Sequence, residues 1–162
     1  SLDDIVVTYF GDPNNVFHSL LVAADILGVQ LRLCTSRDLF PSSVRETLAH
    51  PDYFQMSDNP AAFLTETDVI YTDTWVSMGD DAEAAARKTG LLMPYQVNAE
   101  VMSRAKPDAL FMHCLPAHRG QEVTDEVLDS HFSTVIDQAE NRLHCQKALL
   151  AMLYSGAAKD VV

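Results

Sequence analysis

Two rhythms of apolar residues alternate along this chain. Short, nearly continuous apolar runs occur at Ile5–Phe10, Leu31–Cys34, Val69–Thr72 and Leu110–Met112. Runs of this kind, rich in β-branched and aromatic residues, mark strands covered on both faces, the habit of parallel sheets. Between the first two, Phe17, Leu20, Leu21, Ala24 and Leu27 recur at helical spacing and Gly28 closes the helix. The turn Gly11-Asp12-Pro13-Asn14-Asn15 joins strand to helix, with Asn15 at a natural N-cap.

The remaining pattern predicts a helix from Pro41 to about Ala49, a weak strand at Tyr53–Met56 and a brief helix from Asn59 to Leu64. Strand Val69–Thr72 ends in the polar stretch Asp73–Gly79. Asp80 with Glu83 predicts a capped helix through about Arg87, and Gly90 to Pro94 a loop. Asn98 caps a helix from Ala99 to about Ala105. After the strand ending at Met112 come a loop, a short helix at Asp125–Leu128, a last short strand at Val135–Ile136 and a helix from about Gln138 to Ser155, stopped by Gly156. Residues 157–162 read as a frayed tail.

Strands alternating with helices predict an α/β, Rossmann-like three-layer fold around a central parallel sheet. Right-handed crossovers that wind outward from the first strand and then reverse give the order 3-2-1-4-5. That order sets the carboxyl ends of strands 1, 4 and 5 side by side. Those ends carry Asn14 and Asn15, Asp73 to Met78, and His113 and Cys114. Ligands of open α/β sheets bind at such a switch point.

Composition narrows the candidates. The formal charge of −12, from 11 basic and 23 acidic residues, argues against nucleic acid or an anionic membrane as partner. No apolar run reaches the ~20 residues of a membrane span. Three cysteines, Cys34, Cys114 and Cys145, give neither a disulfide framework nor a zinc knuckle, and point to a reducing, cytoplasmic compartment. The opening Ser1-Leu2-Asp3-Asp4 carries no signal peptide and reads as a cut made just before a domain.

The converging residues have definable chemistry. Asn15, at a helix start, either simply caps it or helps seat a carboxylate or phosphate. A single glycine, Gly11, in the first turn does not meet the dinucleotide fingerprint, so no nicotinamide cofactor is expected. Asp73 through Met78 offer a carboxylate, a hydroxyl and backbone N–H groups, which together suit the ammonium and carboxylate of an α-amino acid. Arg142, read as lying in the first turn of the last helix, opposes the helix dipole, an arrangement that invites an anionic or carbonyl ligand. Cys114 with His118 is a weakly signalled nucleophile pair, since His113 and Cys114 point to opposite faces of a strand. His113, Cys114 and His118 lack the spacing and fourth ligand of a zinc site, so no metal is expected.

Taken together, these residues resemble the ornithine carbamoyltransferase family. Asp73-Thr74-Trp75-Val76-Ser77-Met78-Gly79 is similar to its ornithine loop, and His113-Cys114-Leu115-Pro116 to its active-site cysteine motif. Gly11–Asn15, Tyr95–Asn98, Glu122–Val127 and Gln138–Arg142 follow in the family's order. The resemblance covers about Ile5 to Tyr154.

It implies that residues 1–156 are the second, L-ornithine-binding domain of an enzyme joining carbamoyl phosphate to the side-chain amine of L-ornithine. By the resemblance, Asn15 and the Met78 backbone hold the ornithine carboxylate, with Asn14 close by. Asp73 and Ser77 hold the α-amino group. Cys114 lies near the reacting amine, with His113 beside it, while Arg142 and the Cys114–Leu115 backbone meet the carbamoyl group. No cofactor is implied, and the full-length enzyme is expected to be a homo-oligomer, a trimer or a multiple. The family's Ser-Thr-Arg-Thr-type carbamoyl phosphate loop and its His-Pro segment are missing here, so the first domain is absent and the chain alone is expected to be inactive. Rival readings are a sibling transcarbamoylase for putrescine or an acylated ornithine, a non-catalytic amino-acid-binding domain, and a cysteine hydrolase.

Overall fold

The computed structural model describes residues 2–41, 44–77 and 79–155. Five strands, β1 (Val6–Phe10), β2 (Gln30–Cys34), β3 (Phe54–Ser57), β4 (Val69–Thr72) and β5 (Leu110–His113), pair in the order β3-β2-β1-β4-β5. Every pairing is parallel. The helices are α1 (Asn15–Leu27), α2 (Ala82–Leu92), α3 (Ala99–Arg104), α4 (Asp125–Leu128) and α5 (Val135–Ser155).

Side-chain alternation divides the core between the two sheet faces. Tyr9, Leu31, Leu33, Phe54 and Tyr71 pack with α1 through Phe17, Leu21 and Ala24. Phe10, Ile70 and Phe111 pack with Trp75, Leu92, Val97, Val123 and Val127 on the other side. The β1–β4 and β4–β5 registers align Phe10 with Thr72 and Thr72 with His113, so the three loops that follow leave the sheet side by side.

Gly11 is needed at the first of these exits. Its φ is +113°, and a Cβ there would come 2.9 Å from Nε1 of the fully buried Trp75. The loop after β4 thus presses its indole directly on the backbone of the loop after β1.

Several local expectations are corrected. The cap of α1 is Asn14, whose Oδ1 accepts from Val16 N (2.9 Å) and Phe17 N (3.2 Å); Asn15 is the first helical residue and exposed. The cap of α2 is Asp81, accepting from Ala84 N, because Asp80 is committed to other partners. That helix runs through Gly90 to Leu92: burying Leu92 completely outweighs the ~1 kcal/mol propensity cost of glycine. The helix expected from Pro41 is only a 3₁₀ turn, Val44–Thr47, with Ser42 and Ser43 outside the described residues. Among the described residues of that stretch, Val44 and Leu48 are those packed against the core, too little apolar contact to hold a longer helix. Asn59 to Leu64 are turns and bends, followed by a 3₁₀ turn at Leu64–Glu66. Val135 and Ile136 do not form a strand; they begin α5. Sheet contact stops two residues earlier, at the Phe111–Ser133 bridge. Gly156 and residues 157–162 lie outside the described residues.

Candidate functional site

The site begins with alternation along β5. His113 turns to one face and Cys114 to the other, the face shared by Tyr9, Tyr71 and Met112. Beside Cys114, at the end of β4, stands Asp73, buried to 8% exposure. Its Oδ1 accepts from Cys114 Sγ (3.0 Å) and from Thr74 N (2.8 Å), and its Oδ2 accepts from Asn14 Nδ2 (2.8 Å). Asn14 therefore serves two elements, with its oxygen capping α1 and its nitrogen fixing Asp73. Tyr9 Oη also donates to the Asn14 oxygen, at 3.3 Å. Three strand ends are joined through one carboxylate.

Burial first, and then the Asp73 carboxylate beside it, push the Cys114 thiol up to about 12. A thiol held neutral at physiological pH is a poor nucleophile. Neither nearby histidine is placed to activate it. His113 Nδ1 accepts the Leu115 N–H (2.9 Å) on the opposite face, and His118 turns to Glu122, Nδ1 to Oε2 3.9 Å. The geometry opposes a cysteine hydrolase. Ligand atoms of Asp73, His113 and Cys114 lie within 4.8 Å of one another, the group best placed to hold a metal among the described residues. All three are already engaged in the hydrogen bonds just given.

The loop after β5 is fastened from below. His113 and Glu122 are both fully buried, Nε2 to Oε1 3.3 Å, and Glu122 Oε1 also accepts the His118 N–H. Above this pair Leu115 adopts φ +56°, a left-handed conformation uncommon for a bulky residue, next to a cis peptide to Pro116. A second tie joins the loops after β1 and β4. Lys88 Nζ lies 3.1 Å from both Asp12 Oδ2 and Asp80 Oδ2, and Asp80 also accepts the Ser77 N–H (2.8 Å). Burial nonetheless raises Asp12 above the usual carboxylate range.

The other expected residues sit as follows. Ser77 is exposed on the loop after β4, and Met78 lies outside the described residues. Arg142 is exposed about two turns into α5, because that helix starts at Val135; the expected conflict with the helix dipole is therefore not present. Gln138, one turn earlier on the same helix row, takes the His113 N–H at Oε1 (3.0 Å) and gives Nε2 to Tyr71 Oη (2.9 Å). Gln138, Glu122 and Lys88 were given no role from sequence. Lys88 alone left a signal, standing two helical turns from Asp80. A groove lined by Asn59, Met93, Gln96 and Arg104 shares no residue with the Asp73–Cys114 cluster.

A family model described as the Asp/Orn binding domain of aspartate/ornithine carbamoyltransferase matches residues 3–153. The chain belongs to this family. An ornithine carbamoyltransferase of Thermococcus kodakarensis is 45% identical over 161 residues, covering 96% of this chain and 51% of the relative. One from Bradyrhizobium diazoefficiens is 49% identical over 150 residues, covering 91% and 48%. The structure of the Pyrococcus furiosus ornithine carbamoyltransferase superposes with a TM-score of 0.83 at 45% identity, over 93% of this chain and 50% of that one. The chain thus spans about half the length of the relatives it matches, and its sheet order is that of the carbamoyltransferase Asp/Orn domain fold.

Proposed function

We propose that residues 1–156 form the L-ornithine half of an ornithine carbamoyltransferase site. There the carbamoyl group of carbamoyl phosphate passes to the ornithine side-chain amine, giving citrulline and phosphate. The observation that carries this reading is the Asp73 carboxylate shared by Cys114 and Asn14 at three adjoining strand ends. The family's name and the relatives' names supply the substrate class.

In this reading the α-ammonium of ornithine meets Asp73 and Ser77. Its carboxylate lies at the start of α1, where Asn15 stands and the helix dipole favours an anion. Asn14 spends its oxygen on Val16 and Phe17, so Asn15 offers the first free N–H and its own amide. The Met78 backbone is the further carboxylate donor carried from the resemblance. The side-chain amine must lose its proton before it attacks, which costs roughly 4–5 kcal/mol at pH 7 for a lysine-like group. A dry site beside a neutral thiol lowers that cost by disfavouring the charged amine. Cys114 orients the amine without forming a bond to it. Negative charge growing on the carbamoyl oxygen is met by Arg142, with the Cys114–Leu115 backbone beside the carbamoyl group. The carbamoyl phosphate contacts belong to the other half of the family's chain length.

Calorimetry on the purified chain tests this. L-norvaline and L-ornithine should bind and putrescine should bind more weakly; tighter putrescine binding overturns the assignment. The chain by itself should form no citrulline, and measurable turnover would sink the half-site reading.

A further inference from the structure

The inward stripe of α2 reads Ala84, Ala85, Lys88, Thr89 and Leu92, with Leu92 fully buried. A lysine in the middle of such a stripe keeps its charge only where the fold supplies a counter-charge. Two carboxylates supply it here. Lys88 Nζ donates to Asp12 Oδ2 and to Asp80 Oδ2, at 3.1 Å each. The Lys88, Asp12 and Asp80 side chains are 23%, 11% and 19% exposed, so solvent screens them less than a surface pair. Burial opposes the charge on Lys88, but its hydrogen bonds to the two acids outweigh that and raise it above the ordinary lysine value.

The two acids belong to different loops. Asp80 sits in a turn that closes on itself: Ser77 N–H donates to Asp80 Oδ2 (2.8 Å), and Asp80 N–H donates to Ser77 O (3.0 Å). These two bonds fix the shape of the turn, not its place in the fold. Asp12 sits in a second tight turn, where Asn14 N–H donates to Asp12 O (2.7 Å). That turn delivers Asn14 and Asn15 to the start of α1. The ammonium joins the two turns. Its two partner oxygens lie within about 6 Å of each other, where unscreened like charges push apart.

We propose that Lys88 is a positioning residue of the amino-acid site: by gripping Asp12 and Asp80 together it sets the distance between Ser77 and the start of α1. An α-amino acid presents its ammonium and carboxylate at a fixed separation. It binds well only where the two seats are already held at the matching distance. Lys88 acts through Asp12 and Asp80 rather than by contact with the ligand. The effect on the ligand rests on the ornithine reading, which seats the ammonium at Asp73 and Ser77 and the carboxylate at Asn15; the joint between the loops does not.

Calorimetry with L-norvaline compares Lys88→Met, which keeps the unbranched stem and removes the ammonium, with Lys88→Arg. Lys88→Met should bind about tenfold more weakly than the unsubstituted chain, because the two seats are no longer held in advance. Lys88→Arg should stay within about threefold, since a guanidinium also spans two carboxylates. Asp12→Asn should weaken binding as Lys88→Met does, and the double variant no further, because either change opens the same joint. A lysine serving stability alone would lower the thermal midpoint and leave the dissociation constant of the folded chain unchanged. That outcome overturns the proposal, and so does a double variant weakened by the product of the two single effects. If Lys88→Met does not fold, Asp12→Asn carries the test, and parent-like affinity overturns the proposal. The joint itself is read without ligand, by reductive methylation followed by mass spectrometry. Lys88 should react more slowly than exposed Lys147, and about tenfold faster in Asp12→Asn, the effect of about one pKa unit. An unchanged Lys88 rate overturns the joint. Failure of L-norvaline to bind the unsubstituted chain, with the methylation rates as expected, would remove the ornithine reading and leave the joint standing.

Discussion

The Cys114 thiol donates to the Asp73 carboxylate across 3.0 Å, joining residues 41 positions apart in the sequence. Their pairing decides what each can do. Burial and the neighbouring carboxylate keep the sulfur neutral, and the thiol hydrogen bond fixes the carboxylate at the strand end.

The thiol's reactivity follows from its pKa, raised to about 12 by burial and by Asp73. Alkylation of Cys114 should be slow at neutral pH and climb about tenfold per pH unit above it, while exposed Cys145 reacts first. Asp73→Asn removes the neighbouring charge, so the thiol pKa should fall and alkylation quicken. Rapid, selective modification of Cys114 at neutral pH would contradict this.

The same shift makes stability pH-dependent. The folded thiol ionises near 12 and the unfolded one near its ordinary value of 9.0, and buried Cys34 is also pushed up to about 12. Above pH 9 the unfolded chain gives up these protons first, so stability is full below that point and lost as pH rises toward 12. Thermal midpoints should decline across this window, and Cys34→Ala and Cys114→Ser should each flatten the decline.

Asn14 and Asn15 should separate cleanly by mutation. Asn14→Ala removes the α1 cap and the donor to buried Asp73 Oδ2, which should cost about 2–3 kcal/mol in urea unfolding. Asn15→Ala should stay within about 0.5 kcal/mol, as an exposed first-turn residue, yet weaken L-norvaline binding. Equal stability losses at the two positions would refute the cap assignment.

Two glycines should respond in opposite senses. Gly11→Ala combines a positive φ with contact at 2.9 Å on Trp75 and should destabilise by about 2 kcal/mol. Gly90→Ala lies inside α2 with nothing within 4 Å of the added carbon, and should stabilise by about 0.5–1 kcal/mol. Denaturation midpoints measure both.

Glu122→Leu leaves the His118 N–H and the buried His113 Nε2 without their carboxylate. A loss of about 3 kcal/mol is expected. A neutral result would mean that the loop after β5 does not depend on this pair.

What the sequence disclosed divides along a physical line. Continuous apolar runs located β1, β4 and β5, and crossover handedness ordered the sheet, because both rest on short-range patterns and on a chirality common to all L-chains. The convergence of Asn14, Asp73 and Cys114 followed from that order. Choices made by a single hydrogen bond did not: Asn14 and Asn15 are equal as sequence, and only the reach of Oδ1 to Val16 and Phe17 selects the cap. Gly90 broke the expected helix on paper because propensity is local, whereas the burial of Leu92 is not. Gln138 and Lys88 stayed without roles for the same reason, since their partners Tyr71 and Asp12 lie 67 and 76 residues away; Glu122 meets His113 only because the loop after β5 folds back on itself. Arg142 was misplaced on its helix because two β-branched residues, Val135 and Ile136, read equally well as strand or helix.

The parallel pairing of β1 with β4 has a consequence for how the binding surface comes into being. Asn14 and Asp73 are 59 residues apart, and no hairpin can bring them together. The loop between them must close first, an entropic cost that slows folding. A chain that has formed only its first βαβ unit has no Asp73 beside Asn14 and no Cys114 beside either. Occupancy of this surface by an amino acid is therefore a report on the finished sheet, and a bound ligand would hold together segments that meet only at the end of folding.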